Sequence, residues 1–127
     1  MNNLVNSKVM IYPEQLKNAL NCGDEFLVVL LGKFIEEISR DLELLKQAAA
    51  RSEHERVKGI AHKMLGSVRI FNISELSKLI TSVEIGAMSG APEEWLREKI
   101  QAVDTCWTKT REEILRCRDE LAAGKSI

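Results

Sequence analysis

Apolar residues recur at intervals of three and four along most of the chain, and this spacing constrains the fold more than any other feature. Residues spaced in this way share one face of an α-helix, which turns by about 100° per residue. The alternating pattern typical of β-strands does not occur. Both prolines, Pro13 and Pro92, stand where a helix is expected to begin. The sequence therefore predicts an all-α protein.

Turn and capping signals divide the chain into five predicted helices. Asp24 is the expected N-cap of the second helix, and capping-box spacings starting at Ser52 and Asn72 are expected to open the third and fourth. The predicted helices are, in chain order, 13–21, 24–51, 53–71, about 73–88 and about 93–124.

Four substantial amphipathic helices joined by short connections predict an up-down antiparallel four-helix bundle, to which the first helix adds a short N-terminal extension. We assign residues 1–12 to a lead-in segment, with 1–10 loose, residues 13–124 to the bundle and residues 125–127 to a tail.

Two of the long helices carry extended apolar faces. The expected inward positions of the second are Phe26, Leu27, Leu30, Leu31, Phe34, Ile35, Ile38, Leu42, Leu45 and Ala49. Those of the last are Trp95, Leu96, Ile100, Val103, Trp107, Ile114, Leu115 and Leu121. Helical spacing favours core packing for both tryptophans over a ligand platform.

The charge balance removes the strongest signal for nucleic-acid binding. Eighteen lysines and arginines stand against nineteen aspartates and glutamates, a formal net charge of −1, whereas nucleic-acid-binding domains are usually basic. No apolar run has the length of a membrane-spanning helix, and the N-terminus has no signal-peptide core. We expect a cytoplasmic protein that has no nucleic-acid partner and no membrane segment.

The three cysteines, Cys22, Cys106 and Cys117, are spaced too widely for a zinc site or a disulfide scaffold. We interpret them as small, buried or half-buried residues in a reducing compartment, and we expect no metal site.

His62 is the candidate functional residue. On a helical wheel it lies about 140° from the apolar direction set by Val57, so it is expected to face water rather than the core. The apolar direction gathers Ile60, Ala61, Met64, Val68 and Phe71. Gly59 and Gly66 flank the histidine on its own side, although each costs about 1 kcal/mol relative to alanine inside a helix. A partner that must approach the backbone closely would justify that cost.

Two cations complete the expected surface around His62. Lys58 precedes it by four residues and Arg69 follows it by seven, so both share its side of the helix. A neutral imidazole is a good nucleophile near pH 7, since the ordinary pKa of histidine is about 6.5. Nearby cations stabilise charge on the oxygens of a transferring phosphoryl group. The arrangement suits phosphoryl transfer, but an ordinary surface histidine remains an alternative of about equal weight.

The segment from Ala61 to Ser67, Ala-His-Lys-Met-Leu-Gly-Ser, resembles the motif of the histidine-containing phosphotransfer (HPt) domain family, roughly Ala-His-x-Leu-Lys-Gly-Ser. The likeness continues through Arg69–Leu76 to the pair Val83-Glu84. Upstream it includes Phe26, Leu31, Phe34, Asp41, Leu42, Leu45 and Ala48 of the long second helix. It covers about residues 14–88 clearly, and the last helix by architecture alone.

This resemblance implies a phosphorelay intermediate. His62 matches the phosphorylated histidine, Gly66 the glycine that leaves room for a response-regulator receiver domain, and Ser67 the small residue beside it. A receiver domain, such as one of a hybrid sensor kinase, would supply the phosphorylated aspartate and Mg²⁺. The chain itself would have no cofactor and no ATP site, and would be a phosphotransfer protein rather than an enzyme.

One position departs from the family pattern. The family usually has lysine three residues after the histidine, whereas this chain has Leu65, and its Lys63 lies about 100° around the helix from His62. We therefore expect Lys58 and Arg69 together to replace the missing cation. Leu65 is expected at the edge of the apolar stripe, where it would either join Ile70 or Ile73 in a partner-contact patch or pack at the core margin.

Two other functions remain open. The missing lysine favours a helical adaptor that binds a signalling partner without phosphotransfer. A histidine kinase fragment is a third reading, although 127 residues include no ATP-binding domain. We expect the second histidine, His54, to be a solvated surface residue, because no Cys or carboxylate cluster completes a metal site around it.

Overall fold

The computed structural model describes residues 11–124, which form five α-helices. The helices are α1 (Pro13–Leu20), α2 (Asp24–Ala50), α3 (His54–Ile70), α4 (Ser74–Met88) and α5 (Glu93–Ala122). Each long helix packs against the next along the chain, and α2 also packs against α5, which closes the ring. Because the connections are only a few residues long, successive helices run antiparallel. The predicted all-α four-helix bundle with a short N-terminal helix is confirmed.

The core contains the apolar stripes of all four long helices. Phe34 is central to it, because its ring lies 4.3 Å from that of Phe71 and meets Trp107 edge-on at 5.7 Å, measured between centroids. Trp107 is buried and Trp95 is half-buried against the core, as expected. Phe26 is the exception to the predicted stripe of α2, since it is 57% exposed. It lies about 100° from its neighbour Leu27, which takes the inward position.

The helix boundaries agree with the predicted ones to within one or two residues, but the supposed capping residues Ser52 and Asn72 end helices rather than start them. Ser52 has a left-handed backbone with φ of 56°, and the following Glu53 amide donates to the Ala48 carbonyl at 3.0 Å. This six-to-one bond is the Schellman ending of α2. Neither predicted capping box forms a side-chain cap hydrogen bond.

Left-handed residues also follow α1 and α3, and the residues predicted as N-caps do not cap α2, α3 or α4. Asn21 and Asn72 also adopt left-handed backbones, each just beyond the end of a helix. The N-cap positions of α3 and α4 are occupied by Glu53 and Ile73. Asp24 is the first residue of α2 rather than its cap, and it accepts a 2.5 Å hydrogen bond from Lys17.

Close packing of α4 on α5 depends on one glycine. A Cβ atom placed on Gly86 would lie 2.1 Å from Cζ3 of Trp95, which no core tolerates without rearrangement. Cys106 and Cys117 are buried and Cys22 is half-buried, as predicted. Burial raises the pKa of the Cys117 thiol to about 11, so this thiol is unreactive near neutral pH.

The predictions for residues 1–10 and 125–127 lie outside the described part of the chain. Within residues 11–124, no helix combines the length and apolarity that a bilayer crossing requires.

Candidate functional site

The His62 ring is held from one side and open on the other. Its side chain is 74% exposed, and its Nδ1 lies 2.9 Å from Oε2 of Glu84 on α4. An ionised carboxylate only accepts hydrogen bonds, so Nδ1 carries the proton and the lone pair of a neutral ring lies on Nε2. Nε2 has no hydrogen-bond partner in residues 11–124. The structure thus presents an available ring nitrogen at the surface.

Sequence reasoning included Glu84 in the family resemblance but gave it no role in the site. Only 19% of its side chain is exposed, so its position is set by the packing of α3 on α4. The antiparallel register offers a signal, because His62 and Glu84 lie at nearly equal distances from Asn72 in the connecting turn. A charged residue at that distance, next to the buried Val83, is expected to face the neighbouring helix.

The two glycines flanking His62 are not required by the fold. A Cβ atom added to Gly59 or Gly66 would have no neighbour within 4 Å, and neither glycine has a positive φ. Alanine would fit at both positions and would favour the helix by about 1 kcal/mol each. Their absence of side chains therefore clears the surface beside the histidine, which is consistent with close approach by another molecule.

Lys63 points away from His62 towards α2. Its Nζ lies 3.2 Å from both carboxylate oxygens of Asp41, whose side chain is only 5% exposed. A carboxylate that is this buried requires a charged or hydrogen-bonded partner. Lys63 supplies that partner, so its first structural role is to join α3 to α2.

The two cations expected to replace the missing lysine have different surroundings. Lys58 pairs with Glu55 at 3.1 Å on the exposed face of α3, a contact weak enough to exchange for another partner. Arg69 is exposed and has no ion pair or hydrogen bond within residues 11–124. Ser67, beside Gly66, is half-buried. Arg69 can therefore bind an anion without first breaking an ion pair, whereas Lys58 would have to leave Glu55.

Of the two alternatives for Leu65, the structure shows core packing rather than a partner-contact patch. Leu65 is 1% exposed and Ile73 is 5% exposed, so both belong to the core, whereas Ile70 is 55% exposed. Leu65 turns inward because it follows Ala61 and Met64 on the apolar stripe, where α3 packs between its neighbours. No side chain of Leu65 is available to a partner, and no cation stands in its place.

His54 lies at the surface, as expected, but it is only half-exposed and both of its ring nitrogens have partners. Its Nδ1 lies 3.2 Å from the Ser52 carbonyl and its Nε2 lies 2.9 Å from the Ala91 carbonyl. The ring therefore bridges the α2–α3 and α4–α5 connections instead of lying free in solvent. Hydrogen bonding to Ala91, and then to Ser52, raises the pKa of His54 above 6.5.

Comparison with known proteins agrees with this architecture. The model of the Hpt domain family matches residues 29–123, well over half of the chain. Among curated proteins and among solved structures, none matches this chain. Hpt domains are helical bundles that carry phosphoryl groups on histidine, interact with receiver domains and have no ATP-binding catalytic site of their own. The chain belongs to this family, the histidine phosphotransfer modules of two-component phosphorelays.

Proposed function

We propose that His62 accepts a phosphoryl group from the aspartate of one receiver domain and passes it to another. The observation that carries this proposal is the ring's hydrogen bonding: Nδ1 is held by Glu84, while Nε2 is exposed and without a partner in the described residues. A nucleophilic nitrogen must lie within about 3–3.5 Å of phosphorus before transfer. The bare surface at Gly59 and Gly66 supports such an approach.

The transfer conserves atoms and charge without any further reagent. The Nε2 lone pair forms the N–P bond, while the bond from phosphorus to the aspartyl oxygen breaks and leaves a carboxylate on the receiver. The phosphorylated ring keeps its proton on Nδ1 and becomes cationic, and the Glu84 carboxylate 2.9 Å away stabilises that charge. Glu84 is therefore a positioning residue. The reverse sequence returns the phosphoryl group to a second receiver.

Charge on the phosphoryl oxygens requires cations from both partners. The family resemblance implies that the receiver supplies Mg²⁺ and that this chain holds no cofactor of its own. From this chain, Arg69 and Lys58 lie on the His62 side of α3 and would take the part of the lysine that Leu65 replaces. Lys63 contributes less, since Asp41 holds its ammonium group.

A non-catalytic adaptor remains the second candidate, and one observation favours it. Leu65 is buried at the position where the family usually has lysine, so the charge usually supplied there is missing. An adaptor would bind a receiver through the same face without accepting its phosphoryl group. The cytoplasmic location, the hybrid-kinase context and the exact partners stay predictions.

The proposed function is tested by incubating the chain with a panel of receiver domains charged with acetyl phosphate. Transfer should label the chain with phosphate that is labile in acid and stable in base. His62→Gln should abolish the label, while His54→Gln, on the same helix, should keep it. A label that persists in His62→Gln would show that the acceptor is another residue. Receiver binding without any label would establish the adaptor.

A further inference from the structure

The two longest helices extend past the end of the other two. α2 and α5 contain 27 and 30 residues, whereas α3 and α4 contain 17 and 15. The α3–α4 turn is level with Phe34 of α2, because the ring centroids of Phe34 and Phe71 lie 4.3 Å apart. The start of α2 and the end of α5 therefore continue beyond this turn as a pair, which we call the α2–α5 extension. Its inward apolar residues are at most 3% exposed, namely Leu27, Leu31, Cys117 and Leu121.

Within residues 11–124, the cover over this extension is α1 together with Ile11. Ile11 and Leu16 are 5% and 7% exposed and belong to the same core cluster as the α2–α5 extension. The cover is slight, since Leu16 is the only buried residue among the eight of α1. A groove of about 400 Å³ also remains between α1 and the α3–α4 turn. α1 can therefore leave the bundle at a lower cost in buried apolar surface than any of the long helices.

An ion pair joins α1 to α2 at the surface. Lys17 lies 2.5 Å from Asp24 and 2.9 Å from Glu14, and these two carboxylates are 39% and 66% exposed. Ion pairs as open to water as these contribute little to stability. The Lys17–Asp24 pair nevertheless joins the two sides of the α1–α2 connection, so it reports which copy of α1 lies on which copy of α2.

The α1–α2 connection is a short hinge with an unfavourable backbone. It consists of Asn21, Cys22 and Gly23, and Asn21 has a left-handed conformation with φ of 53°. A residue with a Cβ atom adopts this conformation at a cost, although asparagine tolerates it better than most. Straightening the hinge would remove that cost and exchange one hydrogen bond, from the Cys22 amide to the Lys17 carbonyl at 3.0 Å, for water. Short, strained hinges favour exchange of the attached element between two copies of a chain.

We propose that two copies of this chain exchange α1, so that α1 of each copy covers the α2–α5 extension of the other. The exchanged dimer keeps the contacts that α1 makes in the monomer and differs at the hinge. A short connection holds α1 near its site at an effective concentration in the millimolar range. Exchange therefore competes with closure at about that chain concentration, or below it where straightening the hinge relieves strain. The proposal does not depend on phosphoryl transfer.

Two substitutions at one position test the role of the hinge. Asn21→Val should favour exchange, because a β-branched residue is poorly compatible with a positive φ, whereas Asn21→Gly should favour the closed monomer. Sedimentation equilibrium measures the dimer dissociation constant. We expect it to fall about tenfold in Asn21→Val and to rise in Asn21→Gly. Asn72→Val is the matched control, since Asn72 has the same left-handed backbone in the α3–α4 turn, and it should leave the dissociation constant nearly unchanged.

A second experiment tests whether α1 itself is the exchanged element. Lys17→Asp and Asp24→Lys each place like charges together when α1 closes on its own chain. In an exchanged dimer that contains one copy of each variant, residue 17 of each copy faces an opposite charge at residue 24 of the other. Mixing the two variants at low salt should therefore raise the dimer fraction severalfold above that of either variant alone. Native mass spectrometry distinguishes this mixed dimer from the two dimers of identical copies.

Three results would overturn the proposal. The first is a chain that stays monomeric at about 1 mM even as Asn21→Val. The second is an equal change of the dissociation constant in Asn21→Val and Asn72→Val. The third is a mixture of Lys17→Asp and Asp24→Lys that forms no more dimer than its two components, which would show that any dimer joins closed chains through another surface.

Discussion

The two histidines of α3 lie eight residues apart and have opposite environments. At the N-terminal end, His54 uses both ring nitrogens, which face the carbonyl oxygens of Ser52 and Ala91. In the middle of the helix, His62 uses one nitrogen, which faces the carboxylate of Glu84, and leaves the other exposed.

This difference gives the same side chain two different sets of hydrogen bonds. Two carbonyl acceptors can both be satisfied only by an imidazolium ion, since a neutral ring has a single N–H. A carboxylate on one nitrogen leaves the neutral ring with its lone pair on the other. His54 is thus arranged as a cationic link between two turns, whereas His62 keeps one ring nitrogen available for the phosphoryl transfer that we propose. The two histidines therefore differ in whether the second ring nitrogen has a partner.

The strongest way to break this comparison is to remove the partner of His62. Glu84→Gln keeps the shape but replaces a carboxylate with an amide, which can donate to Nδ1 and so favour the tautomer that has its proton on Nε2. We expect transfer from a charged receiver to slow by about 10- to 100-fold, with receiver binding unchanged. Glu75→Gln, an exposed carboxylate at the start of α4, is the control. Equal rates for both variants would remove Glu84 from the mechanism.

A second prediction concerns the cleared surface around His62. Gly66→Ala should raise the free energy of unfolding by about 1 kcal/mol, because alanine is the better helix former and has room. The same methyl group should slow receiver-dependent transfer severalfold without affecting phosphoramidate labelling. Stability is measured by urea denaturation and transfer by the rate of label loss from the receiver. A stabilised variant that transfers at the original rate would show that the glycine serves no partner.

Lys63 tests whether adjacency to His62 is enough to make a residue functional. Lys63→Met leaves the buried Asp41 carboxylate without its partner and should lower the free energy of unfolding by about 1–2 kcal/mol. Phosphoramidate labelling of His62 should persist. Adding Asp41→Leu to Lys63→Met should recover most of the lost stability, since the uncompensated charge is gone. A single variant as stable as the original would contradict the assigned link between α2 and α3.

The smallest expected effect is the pH dependence contributed by His54. Because the folded state raises its pKa above 6.5, this histidine stabilises the fold fully below pH 6.5 and loses that contribution as pH rises through the folded value. The negative charge of Glu93 raises the pKa of His54 further. Glu93 is held near by a hydrogen bond that it accepts from the Ser52 hydroxyl. The Tm advantage of the original chain over His54→Gln should be larger at pH 6 than at pH 9. The opposite trend would mean that His54 is neutral in the folded state.

Much of the fold follows from local patterns in the sequence. Apolar spacing places Leu27, Leu31 and Ile38 on one face of α2 whichever partner that face meets. The same periodicity identifies His62 as outward-facing. Helix ends are less certain, because Ser52 and Asn72 suit both an N-cap and a left-handed ending of the preceding helix. In the structure both residues have left-handed backbones, so both lie at the end of the preceding helix.

The sequence by itself determined an all-helical bundle, an exposed histidine and the bare surface beside it, because helical periodicity and side-chain size act within a few residues. The tertiary structure decided which groups meet across helices. It placed Glu84 on Nδ1 of His62, Asp41 under Lys63 and the Ala91 carbonyl against His54. These contacts join residues 22 to 37 positions apart, and such partners depend on helix register, which no local pattern contains.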